Sequence, residues 1–278
     1  PPDWRWRGTV TPETIFLTPT DLSLAALLVI ALALVSRRMG LGLAGQTIVA
    51  AFRTTLQLCL VGLVLKVVFA SIHPLLIASM AAVMLVAASR EVMARQKRRF
   101  VGWWGFGMGA GSMFVSSFAI TTFALAVIIG VDPWYTPQYA IPLLGMMLGN
   151  TMTGISLGLD RLTESAWERR STIEGRLMLG HTWSEAIGEI RRTSVRSAMI
   201  PTINSMAAAG LVSLPGMMTG QILAGNPPLE AVKYQILIMF IISAGTGFGA
   251  LIAVWTGARR LFDDRHRLRL DRLKVSRQ

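Results

Sequence analysis

The chain has 278 residues, 53% of them hydrophobic and only 15% charged, with a mean hydropathy of +0.53. Soluble domains carry about 25% charged residues, so the composition is that of an all-α, polytopic membrane protein built as one domain. A formal charge of +12 would suggest nucleic acid in a soluble protein, but no soluble basic domain exists here to bind it, and nucleic acid is excluded as a partner.

The chain begins at Pro1, which reads as the start of a truncated native N-terminus. Residues 1–19, with Trp and Arg alternating at the start, are expected to form an external segment, either lying along the membrane surface or a poorly ordered terminus. The apolar run 22–35 ends at Arg37-Arg38, a stop-transfer flank and not a signal-peptide cleavage site. A membrane span needs roughly 20 apolar residues. Seven stretches qualify, at about 20–36, 50–70, 74–89, 107–131, 138–158, 198–224 and 231–257. They define a permease domain over 20–258, followed by a basic tail over 259–278. Cys59, the sole cysteine, is expected to be a packed core thiol. His73, His181 and His266 are too scattered for a metal site.

Lys and Arg mark the cytoplasmic face. Counting alternate loops and the tail places 23 of the 27 basic residues on one side. Arg5 and Arg7 remain on the other, while Lys66 and Lys233 sit near span ends, where they can snorkel. The chain is therefore expected in the inner (plasma) membrane with its N-terminus outside and its C-terminus in the cytoplasm. Trp134, Tyr135 and Tyr139 suit an interfacial aromatic belt.

Catalytic signatures such as G-x-x-x-x-G-K-[ST] and H-E-x-x-H are missing, and the one G-x-S-x-G match, at 154–158, lies inside an apolar span. The chain is expected to be no enzyme and to bind no cofactor itself. Glycine pairs at spacing four recur, at Gly107/Gly111, Gly145/Gly149, Gly154/Gly158, Gly216/Gly220 and Gly245/Gly249, and plain close packing of helices accounts for most of them. The fifth and sixth spans share G-M-M-x-G-[NQ], at 145–150 and 216–221. Either the repeat is chance in a Gly- and Met-rich chain, or it lines a path at one depth. The path residues would be Met146, Met147, Asn150, Thr151, Thr153, Asn204, Ser213, Met217, Met218 and Gln221. The four Met are the metal-ligand candidates, since thioethers suit soft ions. Pro201 and Pro215 should kink or break the sixth span.

Between these spans lies a charged insert at 160–196, with seven Arg set among Asp160 and five Glu. Near-balanced charge fits a salt-bridged helical hairpin and argues against a phosphate-binding patch. Its segment Glu174–Gly180, E-G-R-L-M-L-G, resembles the cytoplasmic E-A-A-x-x-x-G loop of ATP-binding-cassette permeases. The alanines are not reproduced, and Ile200-Pro201 comes too late to serve as the I-x-L-P element.

Together with I-P-L-L-G-M-M-L-G-N-T-M-T-G-I-S-L, I-P-T-I-N-S-M-A-A-A-G-L-V-S-L-P-G-M-M-T-G-Q-I-L-A-G and A-V-K-Y-Q-I-L-I-M-F, this segment resembles the FetB family of bacterial permeases over roughly 40–258. These are the membrane subunits of iron exporters, related to a plant aluminium-tolerance permease. The resemblance implies a homodimeric permease exporting iron or a related metal cation. A separate cytosolic ATPase carrying ATP and Mg would drive it. Glu174, Arg176, Leu177, Leu179 and Gly180 would then contact that ATPase. Nucleotide-sugar export by the same architecture, an ATP-independent secondary transporter or channel, and a non-transporting assembly subunit are the competing readings.

Overall fold

A computed structural model describes residues 18–70 and 73–275. Most of the external N-terminal segment, with Arg5 and Arg7, and also Arg277, lie outside them. The first helix, α1 (Pro19–Arg38), opens on a capping box: the Asp21 amide reaches Thr18 Oγ1, and the Asp21 carboxylate accepts from the Thr18 amide. Pro19 occupies the first helical turn, where a missing N–H costs nothing. Proline also opens α3 (Pro74–Ala94), α6 (Pro137–Glu168) and α11 (Pro228–Arg260). Before α3 comes α2 (Ala44–Ala70); after it come the strand β1 (Arg98–Phe100), α4 (Trp103–Met113) and α5 (Ala119–Phe123). Two π-helical stretches, Phe114–Phe118 and Ala124–Ile129, flank α5, so that 103–129 runs as one long rod.

Among the described residues six helices are long and apolar enough to cross a membrane. The chain is thus a predominantly helical polytopic membrane protein, with about the expected number of spans. The expected sixth span, 198–224, is in two pieces. Its first part belongs to α9 (Gly188–Ala208), which carries Pro201 without ending there. The break comes at 209–215, where Gly210 turns left-handed and its amide bonds Ser213 O at 2.9 Å. Proline at 215 then precedes the short helix α10 (Gly216–Leu223).

The described residues form two compact units, one of 18–70 with Gly220–Pro227 and one of 73–219 with 228–275. In the first, α1 and α2 pair through a short turn. Cys59 on α2 is exposed, not packed as its apolar surroundings had suggested. An apolar run on a lipid-facing helix is no sign of protein core.

The second unit is held by a glycine seam. A Cβ added to Gly154 would stand 2.5 Å from Thr246 Cγ2 on α11 and 3.3 Å from the Ala198 carbonyl on α9. One added to Gly158 would lie 3.1 Å from Val254 and 3.3 Å from Ala198 Cβ. From the other side, Gly245 abuts Met147, and Gly249 abuts Thr151 and Ser116. Small residues let α6, α9 and α11 approach closely enough for dispersion to hold them where lipid supplies no hydrophobic drive. The Gly107/Gly111 pair differs: a Cβ there meets nothing within 4 Å.

The tail is not a free arm. Leu273–Val275 forms β2, antiparallel to β1, with Arg98 opposite Val275 and Phe100 opposite Leu273.

Adding a methyl at Gly249 would place it 2.6 Å from Thr151 Cγ2 and 2.8 Å from Ser116 Oγ. Thr151 is fully buried, and Ser116 Oγ is tied to Ser112 O at 2.7 Å, so neither can step aside. Gly249→Ala should cost about 1–3 kcal/mol in reversible unfolding in detergent, whereas Gly107→Ala should cost nothing measurable.

Candidate functional site: a thioether and amide pocket beneath a charged insert

Within the second unit, a pocket of about 190 Å³ is lined by Met146 and Asn150 of α6, Thr202 and Ser205 of α9, Gly216 and Met217 of α10, and Gln235 and Met239 of α11. Its position follows from the helix break. Because α9 stops at Ala208 and α10 restarts after Pro215, Met217 returns beside α6 instead of continuing away from it. Asn150 donates Nδ2 to the Met146 carbonyl at 2.8 Å, leaving its Oδ1 as an acceptor. Gln235 Oε1 is buried with no hydrogen-bond partner. An unmatched amide oxygen in a membrane-embedded cavity is costly and needs an explanation such as a bound ligand or ion. The pocket offers thioether sulfurs and neutral oxygens, with no fixed charge among its lining residues. Among the described residues no cluster of His, Cys, Asp or Glu could hold a resident metal.

Of the ten path candidates, three converge here: Met146, Asn150 and Met217. Met147 is fully buried against Gly245, and Thr151 lies in the same seam against Gly249. Thr153 bonds its own helix through Gly149 O at 3.0 Å. Asn204 is exposed, Ser213 sits in the break, and Met218 lies beside Met217 on α10 without lining the pocket. Gln221, one turn beyond Met217, belongs to the first unit. Sequence reasoning did not select Gln235, Thr202 or Met239 as path residues; Ser205 it had marked only as one of the polar side chains of the sixth span expected to face an interior or a cavity. The available signal was Gln235, an amide within the apolar run of α11.

The charged insert is a folded hairpin. It begins inside α6, continues through α7 (Arg170–Met178) and α8 (Trp183–Ala186), and ends inside α9. Ile173, Ala186, Ile187 and Ile190 are buried with Leu162, Leu261 and Phe262 in one hydrophobic cluster. Glu189 pairs with Arg169 and Arg176, each at 3.2 Å, and these two guanidiniums, Arg176 first, hold its carboxyl below the usual range. At the turn, Gly180 adopts φ +88° with its amide on Leu177 O, and the His181 amide reaches Arg176 O. This is a Schellman stop, which needs a residue tolerant of the left-handed region. Thr182 and Glu185 then form a second capping box. Met178 and Leu179 project from this turn, 84% and 81% exposed, and Glu174 is exposed on the same helix. Leu177 packs inward, and Arg176 is occupied by Glu189.

Pocket and insert are joined by unbroken helices. From Asn150 to Glu168 along α6 is about 27 Å at 1.5 Å per residue, and from Gly188 to Ser205 along α9 is about 25 Å. Lys97 ties a third strand of chain to this rod, with its amide on Asp160 at 2.8 Å and its ammonium on Glu164 at 3.1 Å.

A family model described as an uncharacterised protein family, UPF0014, matches residues 19–262. A UPF0014 membrane protein of Synechocystis is 42% identical over 233 residues, covering 82% of this chain and 88% of its own length. The protein named "Probable iron export permease protein FetB" in Escherichia coli K12 is 31% identical, covering 93% of this chain and 97% of its own. "Protein ALUMINUM SENSITIVE 3" of Arabidopsis thaliana is 34% identical over 84% of each. No solved structure matches.

Because the Glu189 carboxyl titrates below its ordinary value, its bracing of α7 is present above the usual carboxylate range and is lost as pH falls through the depressed value. A spin label at position 179 should be less mobile at pH 7 than in acid; Glu185, also held low by Thr182, acts in the same direction. Glu189→Gln should make the label mobile already at pH 7. Unchanged spectra in that variant would contradict the bracing.

Proposed function

Since the chain belongs to the UPF0014 family of multi-pass membrane proteins, we propose that it is the permease of an ATP-driven exporter of iron or a related metal cation. A separate cytosolic ATPase supplies the energy, and the working unit is a homodimer with the insert on the cytoplasmic side. One observation carries this reading. The helices that line the pocket, α6 and α9, are the same rigid rods that carry the insert.

Met178 and Leu179, standing out of a charged hairpin on a fixed glycine turn, suit an apolar knob entering a cleft on a protein partner. Closure of the ATPase pair around ATP would push that knob. The load would pass through the buried Ile173, Ile187 and Ile190 cluster into α6 and α9. At the far end it would shift Met146 and Asn150 against Met217 and Gln235, opening the pocket first to one side and then to the other.

The pocket's chemistry favours a small cation. A volume of about 190 Å³ falls below the roughly 300–1,000 Å³ of sites for drug-sized ligands, and a nucleotide sugar is larger still. Neutral sulfur and oxygen donors bind a cation without a counter-charge. Residence is then brief, as transport requires. One relative carries iron export in its name, and that agrees with this donor set.

Reconstituted with its ATPase, the chain should show ATP hydrolysis stimulated several-fold by Fe²⁺ and little by UDP-glucose. Gln235→Leu or Met217→Ala should remove at least ten-fold of the metal sensitivity while leaving basal hydrolysis intact. Leu179→Asp should uncouple the pair without altering the pocket. Stimulation by nucleotide sugar alone, or metal transport by the permease without any ATPase, would overturn the proposal.

A further inference from the structure

A second cavity, unrelated to the pocket, opens along the flank of the second unit. It is a groove of about 880 Å³ whose floor is formed by Gly107, Gly111 and Val115 on one side and Ile252 on the other. The two glycines explain its depth: a side chain at either would project into open space. From Trp104 to Val115 the groove follows its helix for about 16 Å. That is half of a hydrocarbon core roughly 30 Å thick, the reach of one leaflet.

The mouth is polar and lies where aromatic side chains mark an interface. Trp103, Trp104 and Trp255 stand there, 84%, 57% and 56% exposed. Beside them are three guanidiniums and two carboxylates. Asp264 is taken by Arg259 at 3.0 Å, and Asp263 accepts the amides of Arg265 and Arg267 at 3.0 and 2.8 Å. Arg272 donates Nη1 to the carbonyls of Arg260 and Phe262 at 2.8 and 3.2 Å, so it is fixed in place with its charge retained. The Arg260 guanidinium lies 4.4 Å over the Trp104 ring and pairs with no carboxylate among the described residues.

We propose that this groove holds one anionic phospholipid, with its phosphate on Arg260 and Arg272 and an acyl chain over Gly107 and Gly111. Charge complementarity selects the occupant: a zwitterionic lipid would bring a second cation beside its phosphate into a mouth where three guanidiniums already outnumber two carboxylates, and a free anion would leave the apolar floor empty. Half-buried guanidiniums between membrane helices are suited to phosphate headgroups. The site also touches the insert. Phe262 lines the groove and packs on Trp183 of α8, and Arg259 lies 5.5 Å from the same ring. An occupied groove therefore braces the hairpin from below.

The test is native mass spectrometry of the full chain in neutral detergent, titrated with phosphatidylglycerol or phosphatidylcholine of identical acyl chains. One lipid should bind, with phosphatidylglycerol at least ten-fold tighter. Arg260→Gln should reduce phosphatidylglycerol to the phosphatidylcholine level, and Arg260→Lys should recover part of the difference. Gly111→Leu should weaken both lipids about ten-fold while keeping the preference, and it serves alone if the Arg260 variants fail to fold. An unchanged preference in Arg260→Gln overturns the proposal. Displacement by millimolar inorganic phosphate would mean a free-anion site instead. A shift in the monomer–dimer ratio in Gly111→Leu with lipid binding intact would mean an interface between copies.

Discussion

Everything in the second unit depends on how closely α11 approaches α6. In hydrocarbon there is no solvent to expel, so two apolar helices gain little by touching unless their backbones come near enough for many atoms to meet. Gly154 and Gly158 on one side, and Gly245 and Gly249 on the other, create that approach. Each glycine receives a neighbour's side chain: Thr246, Val254, Met147 and Thr151. The same seam sets the register that places Met146 and Asn150 across from Gln235 and Met239. Loosening it would lose stability and the pocket together.

A mechanical contrast follows from where glycine and proline sit. Proline at 201 removes one amide donor, yet α9 passes through it, because neighbouring helices support the backbone on both sides. The chain breaks only at 209–215, where Gly210 adopts a left-handed φ and Leu211 and Val212 are left 91% and 86% exposed. Thus α6 and α9 run without a break from insert to pocket, while the wall supplied by α10 follows a bend. A cavity with two continuous walls and one wall after a bend is suited to opening by leverage.

Much of the fold was legible because membrane spans announce themselves by length and apolarity, and the charged insert by its contrast with them. The glycine pairs were legible as a class but not individually. Spacing four cannot distinguish Gly154/Gly158, which are filled by neighbours, from Gly107/Gly111, which leave a groove. The repeated Met-Met pair was legible as a feature at one depth, but adjacent helical residues point about 100° apart, so Met146 and Met147 take opposite duties. Gln235 was legible only as one amide in an apolar run, and the run alone does not say whether that amide turns to lipid or to a neighbouring helix. The pairing of the tail with Arg98–Phe100 carries no local signal at all, because three-residue strands depend on partners distant in sequence.

The claim that the insert works the pocket through rigid helices is tested most directly by side-specific access to one pocket residue. In a chain carrying Cys59→Ala and Ser205→Cys, a membrane-impermeant thiol reagent is applied from each face, with the proposed partner ATPase empty or locked by a non-hydrolysable ATP analogue. Position 205 should react from one face in the first state and from the opposite face in the second, and Leu179→Asp should abolish the switch. Labelling from the same face in both states, or a switch that survives Leu179→Asp, would contradict the claim.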